Sequence, residues 1–127
     1  MYEQDYVMRL NRDVIRTIVK LIFNKDIEPG MDLISQVLKS EDSRMLDLVY
    51  GQVDLGNIEE AENDIFQQLV NKDDRALEKA LLFYFYLNEK NDEFLLEHHY
   101  DREKIQSGLK NIASQFGILD IVSLLVM

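Results

Sequence analysis

The first hydrophobic pattern in the chain is a long amphipathic segment, residues 6–23. At 100° per residue, its charged side chains gather on one side of a helix: Arg9, Arg12, Asp13, Arg16 and Lys20. The other side is an apolar arc of about 220°, more than twice the usual width of about 100°, formed by Tyr6, Val7, Met8, Leu10, Val14, Ile15, Ile18, Val19, Leu21 and Ile22. The pattern predicts a helix from near Glu3 to near Asn24, covered on two or three sides by later helices or by a second copy of the chain.

Two further helices are predicted between residues 29 and 53. Pro29 suits the first turn of the earlier one, which has apolar residues at helical spacing: Met31, Ile34, Val37 and Leu38. Ser40 or Asp42 is the expected N-cap of the later one, whose apolar face is Met45, Leu46, Val49 and Val53. Gly51 inside this helix costs about 1 kcal/mol relative to alanine, and we expect it to let a neighbouring helix approach closely.

A tight turn is predicted at residues 54–57. Gly56 can adopt the left-handed conformation that ends a helix. Asn57 is the expected N-cap of the next helix, and Glu60, three residues later, completes a capping-box pattern. The inward face of that helix is Ala61, Ile65 and Leu69. The pattern therefore predicts a helix, a tight turn and an antiparallel helix.

This turn resembles part of a known repeat. Residues 56–61, Gly-Asn-Ile-Glu-Glu-Ala, are similar to the Gly-Asp-Tyr-Asp-Glu-Ala turn between the two helices of a tetratricopeptide repeat. Gly56 and Ala61 occupy the small-residue positions and Ile58 the aromatic one, whereas Val49 and Gln52 depart from the pattern. A solenoid normally needs at least three such repeats, and the match covers at most one of about 34 residues. The resemblance therefore implies a local helix pair of this kind and does not by itself imply a solenoid.

The most hydrophobic segment follows Asp73 and Asp74, either of which can cap a helix. Residues 81–87, Leu-Leu-Phe-Tyr-Phe-Tyr-Leu, could also form a strand. The preceding Ala-Leu-Glu-Lys-Ala favours a helix, and no partner strand is predicted elsewhere. This helix is apolar on every side, so we expect it to pack against the first one.

Two shorter patterns complete the helical series. Asn91 and Asp92 open a short helix that ends near Glu97. Asp101 is the expected N-cap of the next helix, which Gly117 ends. Its apolar residues follow helical spacing: Ile105, Leu109, Ile112 and Phe116.

The last ten residues, 118–127, are almost entirely apolar, with Asp120 as their one charge. On a helix, one face would hold Ile118, Ile121, Val122 and Leu125, while Leu119 and Val126 would point partly away. One face can dock on the core of the chain, which leaves the other residues exposed or in contact with a second subunit. Together with the wide apolar arc of the first helix, this pattern predicts a symmetric homodimer.

Three stretches taken together resemble a known family: residues 1–9, the turn at residues 55–63, and residues 80–110. They are similar to small bacterial proteins grouped as a domain of unknown function. The resemblance implies a bacterial, all-helical, single-domain protein. It supplies no active site that could be transferred to this chain.

Composition narrows the classes of function. The 127 residues predict one domain, residues 1–127, and contain no cysteine, which excludes disulfides and thiolate sites. The net charge of −10 is uneven, because residues 1–25 hold five bases and three acids, which leaves −12 for the rest. An acidic surface disfavours nucleic-acid binding. No signal-peptide pattern and no membrane span occur, so we expect a cytoplasmic protein.

The one cluster suited to metal or acid–base chemistry contains His98 and His99, between Glu97 and Asp101. Adjacent helical residues point about 100° apart, so the two rings cannot reach one ion from a regular helix. We predict a loop with one packed and one exposed imidazole, with a metal or hydrolase site there as an alternative. The sequence has no G-x-S-x-G elbow, Walker A loop or G-x-G-x-x-G motif. No catalytic, cofactor-binding or metal-binding residue is predicted.

These patterns predict an all-α fold of seven or eight helices in antiparallel pairs, partly tetratricopeptide-like. The predicted function is a non-enzymatic helical module that binds a protein partner or itself by burying apolar side chains in a groove rimmed by acids. We expect it to bind no nucleic acid, membrane or small molecule. The alternative is a membrane-surface module that uses the basic stripe of the first helix, namely Arg9, Arg12, Arg16 and Lys20. We expect this stripe to be solvated or paired to acids instead.

Overall fold

The computed structural model of the protein describes residues 2–23 and 43–126, which form seven α-helices and one π-helical turn. Helix α1 (Tyr2–Ile18) continues into the π-helical turn (Val19–Phe23). The others are α2 (Ser43–Asp54), α3 (Ile58–Leu69), α4 (Asp74–Asn88), α5 (Asp92–Glu97), α6 (Arg102–Gln115) and α7 (Leu119–Leu125). Because the described ranges contain no strand, the predicted all-α class is confirmed. The predicted helix at residues 29–38, its Pro29, and the Ser40 or Asp42 cap fall outside these ranges.

Helix α1 is covered over a narrower arc than the sequence predicts. Its buried positions span about 140°, and they are Asn11, Val14, Ile15, Ile18 and Val19. Two members of the predicted apolar arc are exposed: Tyr6 is 57% and Leu21 43% accessible. One reason is that α4, α6 and α7 contact α1 from the side that holds the buried stripe. A second reason is the π-helical turn, whose i→i+5 bonds rotate Leu21 away from the direction that an ideal helix gives it.

Helix α4 is the central element. It contacts α1, α2, α3 and α6, and this agrees with the prediction that an all-round apolar helix lies against the first one. Its fully buried hydrophobic side chains are Leu77, Ala80, Leu81, Leu82, Phe83, Tyr84 and Leu87. Since burial of a large apolar side chain stabilises by roughly 1.5–3 kcal/mol, α4 is the largest single contributor to the core.

The turn between α2 and α3 has the predicted left-handed glycine but not the predicted cap. Gly56 has a φ of +82°, and its N–H donates to the Val53 carbonyl at 2.9 Å. The N–H of Asn57 donates to the Gln52 carbonyl at 3.0 Å, which completes a Schellman motif. The side chain of Asn57 makes no capping bond, so that prediction is wrong. The Asn57 N–H, which was expected to donate to the Glu60 carboxylate, already donates to the Gln52 carbonyl in the Schellman motif.

The other helix ends follow the sequence closely. Asp73 accepts from the Arg75 N–H, Asn91 from the Phe94 N–H, and Asp101 from the Lys104 N–H. Gly117, with a φ of +76°, ends α6. Short polar side chains and glycine at these positions satisfy groups that the helix itself leaves unpaired.

The sequence selects the wrong glycine for a close helix contact. Among the residues that the structure describes, a Cβ built on Gly51 would meet no atom of another element within 4 Å, so no described helix approaches closely at Gly51. A Cβ on Gly108 would instead lie 2.2 Å from the hydroxyl oxygen of Tyr84. Helices α4 and α6 therefore meet at Gly108, because the Tyr84 side chain crosses directly over it.

The face that α7 turns toward the core differs from the predicted one. Val122 is fully buried, and Ile118, Leu119 and Val126 pack against the core beside it. Ile121 and Leu125, predicted to share the docking face, are 45% and 38% accessible. The turn after α6 sets this rotation, because the Ile118 N–H donates to the Ala113 carbonyl at 2.9 Å and anchors the start of α7.

Candidate functional site

Helices α2, α3 and α4 enclose an open cleft of about 170 Å³, which we call the α2–α4 cleft. Ridges from three helices line it: Leu48, Val49 and Gln52 from α2, Ala61, Asp64 and Ile65 from α3, and Lys79 and Phe83 from α4. The small side chain of Ala61 leaves room where α3 passes α2. An apolar cavity of about 150 Å³ admits benzene, so the cleft can take one aliphatic or aromatic side chain.

The cleft has an apolar floor and a partly charged rim. Val49, Ala61, Ile65 and Phe83 are buried and form its floor. Leu48, which is 61% accessible, stands at the mouth. An apolar group that enters would therefore contact aliphatic and aromatic surface on several sides, which is the pattern of a binding cleft.

The charged part of the rim is one loose ion pair. The Lys79 ammonium lies 3.8 Å from the Asp64 carboxylate, and the Gln68 amide donates to the same oxygen at 3.3 Å. Asp64 is largely exposed, whereas the Lys79 side chain is mostly covered. Lys79 also borders a second, polar cleft of about 300 Å³, lined by Gln68, Asn71, Asp73, Arg75, Ala76 and Lys79.

An aromatic and ionic cluster fastens the end of α2 to α4. Lys90 Nζ donates to Asp54 at 2.6 Å and the Tyr86 hydroxyl donates to the same oxygen at 2.8 Å. The Tyr86 ring stacks on Tyr50 at 3.8 Å, and Lys90 lies over the rings of Tyr86 and Phe94. The Lys90 hydrogen bond, followed by that of Tyr86, lowers the pKa of Asp54, and the same Asp54 bond raises the pKa of Lys90. The arrangement keeps one wall of the cleft in place.

A second cluster fastens α3 to α4 and to the start of α6. The hydroxyls of Tyr84 and Tyr100 both donate to the same oxygen of Glu62, at 2.6 and 2.7 Å. Burial, and after it the negative charge of Glu62, raises the pKa of both tyrosines. Both hydroxyls therefore stay protonated as donors over the physiological range. This geometry supports a structural role, because both phenols are committed to one carboxylate.

The two histidines lie where the loop prediction puts them. The His98 ring packs against Phe94, with centroids 4.4 Å apart, and its Nδ1 lies 2.8 Å from the Phe94 carbonyl. It also fills the space beside Gly56, where a Cβ would lie 2.4 Å from the ring. His99 is exposed, with a φ of +54°. Within residues 2–23 and 43–126, no group of three His, Cys, Asp or Glu residues could hold a metal ion.

Sequence reasoning missed a buried polar network among α1, α4 and α6. The Asn11 amide donates to Asn88 Oδ1 at 3.1 Å and to the Arg102 carbonyl at 3.0 Å. Arg102, 2% accessible, donates in turn to the Asn88 and Lys90 carbonyls and pairs with Asp92. The available signal was the position of Asn11 at the centre of an apolar arc. Because the groups of this network satisfy one another, it fixes how three helices meet.

The basic stripe of α1 is partly paired. Arg12 forms a two-pronged contact with Glu89, at 2.8 and 2.6 Å, which raises the pKa of Arg12. Arg16 pairs with Asp13 at 3.1 Å, and Arg9 is exposed. The expected pairing with acids is confirmed at Arg12 and Arg16. No helix in the described part of the chain is long and apolar enough to cross a membrane.

Comparison with known proteins identifies one family. The family model described as a family of unknown function, DUF6483, matches residues 1–117. No curated protein and no solved structure matches the chain. The resemblance to a family of unknown function is thus confirmed, whereas the tetratricopeptide-like character of the α2–α3 pair stays a prediction.

Proposed function

Because this chain belongs to DUF6483, a family of unknown function, we propose its function from the geometry of the α2–α4 cleft. It is a non-enzymatic helical interaction module that binds a protein partner by taking an apolar side chain into this cleft. The observation that carries the proposal is an apolar floor of four buried side chains that remains open at the surface.

The frame around the cleft supports binding to a preformed site. Asp54 and Glu62, on the two helices of the α2–α3 pair, are each held by hydrogen bonds from beyond that pair. A wall that is already ordered loses little conformational entropy when a partner binds. The free energy of burying an apolar side chain, about 25 cal/mol per Å², is then offset less by ordering of the wall, although the partner still loses its own freedom of motion.

The chemistry of the cleft also favours binding over catalysis. Its ionisable lining residues are Asp64 and Lys79, which pair with each other on the rim. The floor beside them is apolar. A general acid or base works from a position that faces the reacting group within hydrogen-bond reach. The Asp64–Lys79 pair instead suits recognition at the edge of an apolar contact.

Peptide selection tests this proposal. Random twelve-residue peptides displayed on phage would be selected on the immobilised protein and their affinities measured for two variants. We expect Leu48→Ala, at the mouth of the cleft, to weaken selected peptides by about fivefold, which is roughly 1 kcal/mol. Leu96→Ala is the matched control, because Leu96 is 77% accessible on α5 and does not line the cleft. Equal affinities for both variants would contradict the proposal.

A second candidate function is self-association through α7. Ile121, Leu124 and Leu125 are 45%, 72% and 38% accessible on one short helix. These side chains are close in sequence and leave an apolar surface beside the packed face of α7. A twofold axis through this surface would bury the same residues from both subunits.

Sedimentation equilibrium tests the dimer. We expect the wild-type protein to dimerise at tens of micromolar and Leu124→Glu to shift it to monomer. Leu96→Glu introduces the same charge at a similarly exposed leucine and should leave the dimer intact. A wild-type monomer, or a Leu124→Glu variant that still dimerises, would contradict this second candidate.

A further inference from the structure

The helices that frame the cleft carry a concentrated negative charge. Residues 43–69, which contain α2 and α3, hold six acids and one arginine, a net charge of −5 out of −10 for the whole chain. Those acids are Asp47, Asp54, Glu59, Glu60, Glu62 and Asp64. A surface with one sign of charge raises the local concentration of ligands with the opposite sign. Lys90 pairs with Asp54 and Lys79 with Asp64, and the acids that remain in excess on α2 and α3 still favour a cationic ligand over an anionic one.

Among these acids, Asp64 lies where it can contact such a cation directly. It is the acidic residue among those that line the cleft, and its side chain is 61% accessible. Its cationic neighbour, Lys79, lies 3.8 Å away, which is longer than a normal charge-assisted hydrogen bond of about 2.7–2.9 Å. An arginine that reached Asp64 could form two parallel hydrogen bonds instead, so it could replace this looser contact.

The side chain of Lys79 borders a second cleft into which it can turn when it is displaced from Asp64. Lys79 lines both the α2–α4 cleft and the polar cleft beside it. The polar cleft contains the carboxylate of Asp73 and the side-chain amides of Gln68 and Asn71, beside one cation, Arg75. The Lys79 ammonium can turn into this cleft and keep polar neighbours when Asp64 pairs with another cation.

We infer that the α2–α4 cleft recognises a protein segment with one apolar residue flanked by arginine, and that Asp64 binds the arginine in place of Lys79. The inference rests on the proposed function and adds the chemistry of the partner. The apolar residue supplies the buried contact, and the arginine supplies orientation and selectivity. Lys79 is a specificity residue, because it pairs with Asp64 in the free protein and is displaced only by a cation that binds Asp64 more tightly.

Four short peptides test the inference by NMR titration of the cleft methyl groups of Leu48, Val49, Ala61 and Ile65. The probes are acetylated, amidated tripeptides: Arg-Leu-Arg, Gln-Leu-Gln, Glu-Leu-Glu and Arg-Ala-Arg. We expect Arg-Leu-Arg to bind about two- to fivefold more tightly than Gln-Leu-Gln, the range for an exposed ion pair. Glu-Leu-Glu should bind most weakly of the three leucine peptides, and Arg-Ala-Arg should shift the cleft methyls little.

Variants separate Asp64 from bulk charge. Asp64→Asn should abolish the preference for Arg-Leu-Arg over Gln-Leu-Gln, whereas Asp120→Asn, an exposed acid on α7 with the same change in net charge, should retain it. Lys79→Met keeps an unbranched stem, removes the competing ammonium and should raise the affinity for Arg-Leu-Arg by about two- to fivefold. Lys110→Met, on α6, makes the same change in charge and should alter the affinity less.

The outcomes distinguish the inference from the proposed function. Equal binding of Arg-Leu-Arg and Gln-Leu-Gln at the cleft methyls would overturn the inference and leave the proposed function standing. The same holds if Lys79→Met weakens Arg-Leu-Arg binding. Methyl shifts that Arg-Ala-Arg reproduces, or that no peptide produces, would overturn both, because the apolar contact would then be absent.

Discussion

The turn between α2 and α3 places a strict conformational requirement on one residue, Gly56. Its φ is +82°, and the His98 ring lies where a Cβ would project. Two separate penalties therefore apply to any larger residue. One is the cost of a left-handed backbone, about 1–2 kcal/mol, and the other is the overlap with a packed ring.

Replacement of Gly56 by alanine should lower the free energy of unfolding by about 2–5 kcal/mol, the sum of about 1–2 kcal/mol for the backbone and about 1–3 kcal/mol for the overlap. Urea denaturation measures it. In a His98→Ala background the same replacement should cost only the backbone term of about 1–2 kcal/mol. Gly51→Ala is the matched control and should stabilise by about 0.5–1 kcal/mol, because Gly51 is helical and a Cβ there meets nothing within 4 Å. An unchanged stability for Gly56→Ala would contradict the turn geometry.

Asn11 carries a second prediction at the residue scale. Asn11→Leu would remove the donor to Asn88 Oδ1 and to the Arg102 carbonyl inside the core. An unpaired buried polar group costs about 1–3 kcal/mol, so we expect a loss of roughly 2–4 kcal/mol in the free energy of unfolding. Asn63→Leu, on the exposed side of α3, should change it by less than about 0.5 kcal/mol. A stable Asn11→Leu variant would show that the network is dispensable.

The role of a single residue could be predicted from the sequence when it depends on neighbours in the chain, and not when it depends on distant residues. Gly56, Asp73 and Asp101 were predicted correctly, because a left-handed turn or an N-cap depends on neighbours within a few positions. Asn57 was predicted wrongly, because its backbone in this turn, with a ψ of 50°, is not in the extended conformation from which an N-cap side chain reaches the helix. The burial of Asn11 depends on Asn88 and Arg102, far away in sequence, and no local pattern indicates such partners.

At the scale of elements, the two tyrosines on Glu62 join α3 to α4 and to the turn before α6. Their pKa values are raised in the folded protein, first by burial and then by Glu62. An unfolded tyrosine has a pKa of about 10. Above that pH the unfolded chain binds fewer protons than the folded one, so stability must fall as the pH rises.

The free energy of unfolding is therefore expected to decrease at alkaline pH. Stability from this pair should be fully present below about pH 10 and then fall by about 1.4 kcal/mol per pH unit for each tyrosine. Tyr84→Phe should remove one such contribution, and so reduce the slope by about 1.4 kcal/mol per pH unit, besides lowering stability at neutral pH. Guanidinium denaturation between pH 8 and 11.5 measures both.

Tyr6→Phe is the control for this experiment, because the Tyr6 side chain is 57% accessible on α1. It removes a phenol that is not bonded to Glu62, and it should change the slope less than Tyr84→Phe does. If Tyr84→Phe keeps the wild-type slope, the Tyr84 hydroxyl is not held in the way described. Stability that rises above pH 10 would contradict the sign itself.

Elements were predicted better than the faces they bury. The bounds of α4, α5 and α6 agree with the sequence, since caps and apolar spacing define them locally. The buried faces of α1 and α7 differ from the predicted ones, because a π-helical turn shifts the register after Ile18 and the bond from Ile118 to Ala113 rotates α7. Helical wheels assume one uniform rotation per residue, and both features break that assumption.

At the scale of the molecule, the cleft is a property of three helices together. Its floor combines Val49, Ala61, Ile65 and Phe83, which appear in the sequence only as ordinary core positions. The sequence predicted a groove between helix pairs but not its place. It also predicted a rim of acids, whereas the lining holds one acid paired with one base. The cleft depends on how the three helices pack around Ala61, and the hydrophobic periodicity of the sequence does not indicate this packing.

The most direct test of the central claim is an isotope-filtered NOE measurement between labelled protein and unlabelled acetyl-Arg-Leu-Arg-amide. If the cleft binds an apolar side chain, the leucine methyls of the peptide should show NOEs to Ala61, Ile65 and Phe83. These residues line the cleft from two helices, Ala61 and Ile65 from α3 and Phe83 from α4. Leucine NOEs confined to other surfaces, such as Leu124 on α7, or saturated binding with no NOE to the cleft, would contradict it.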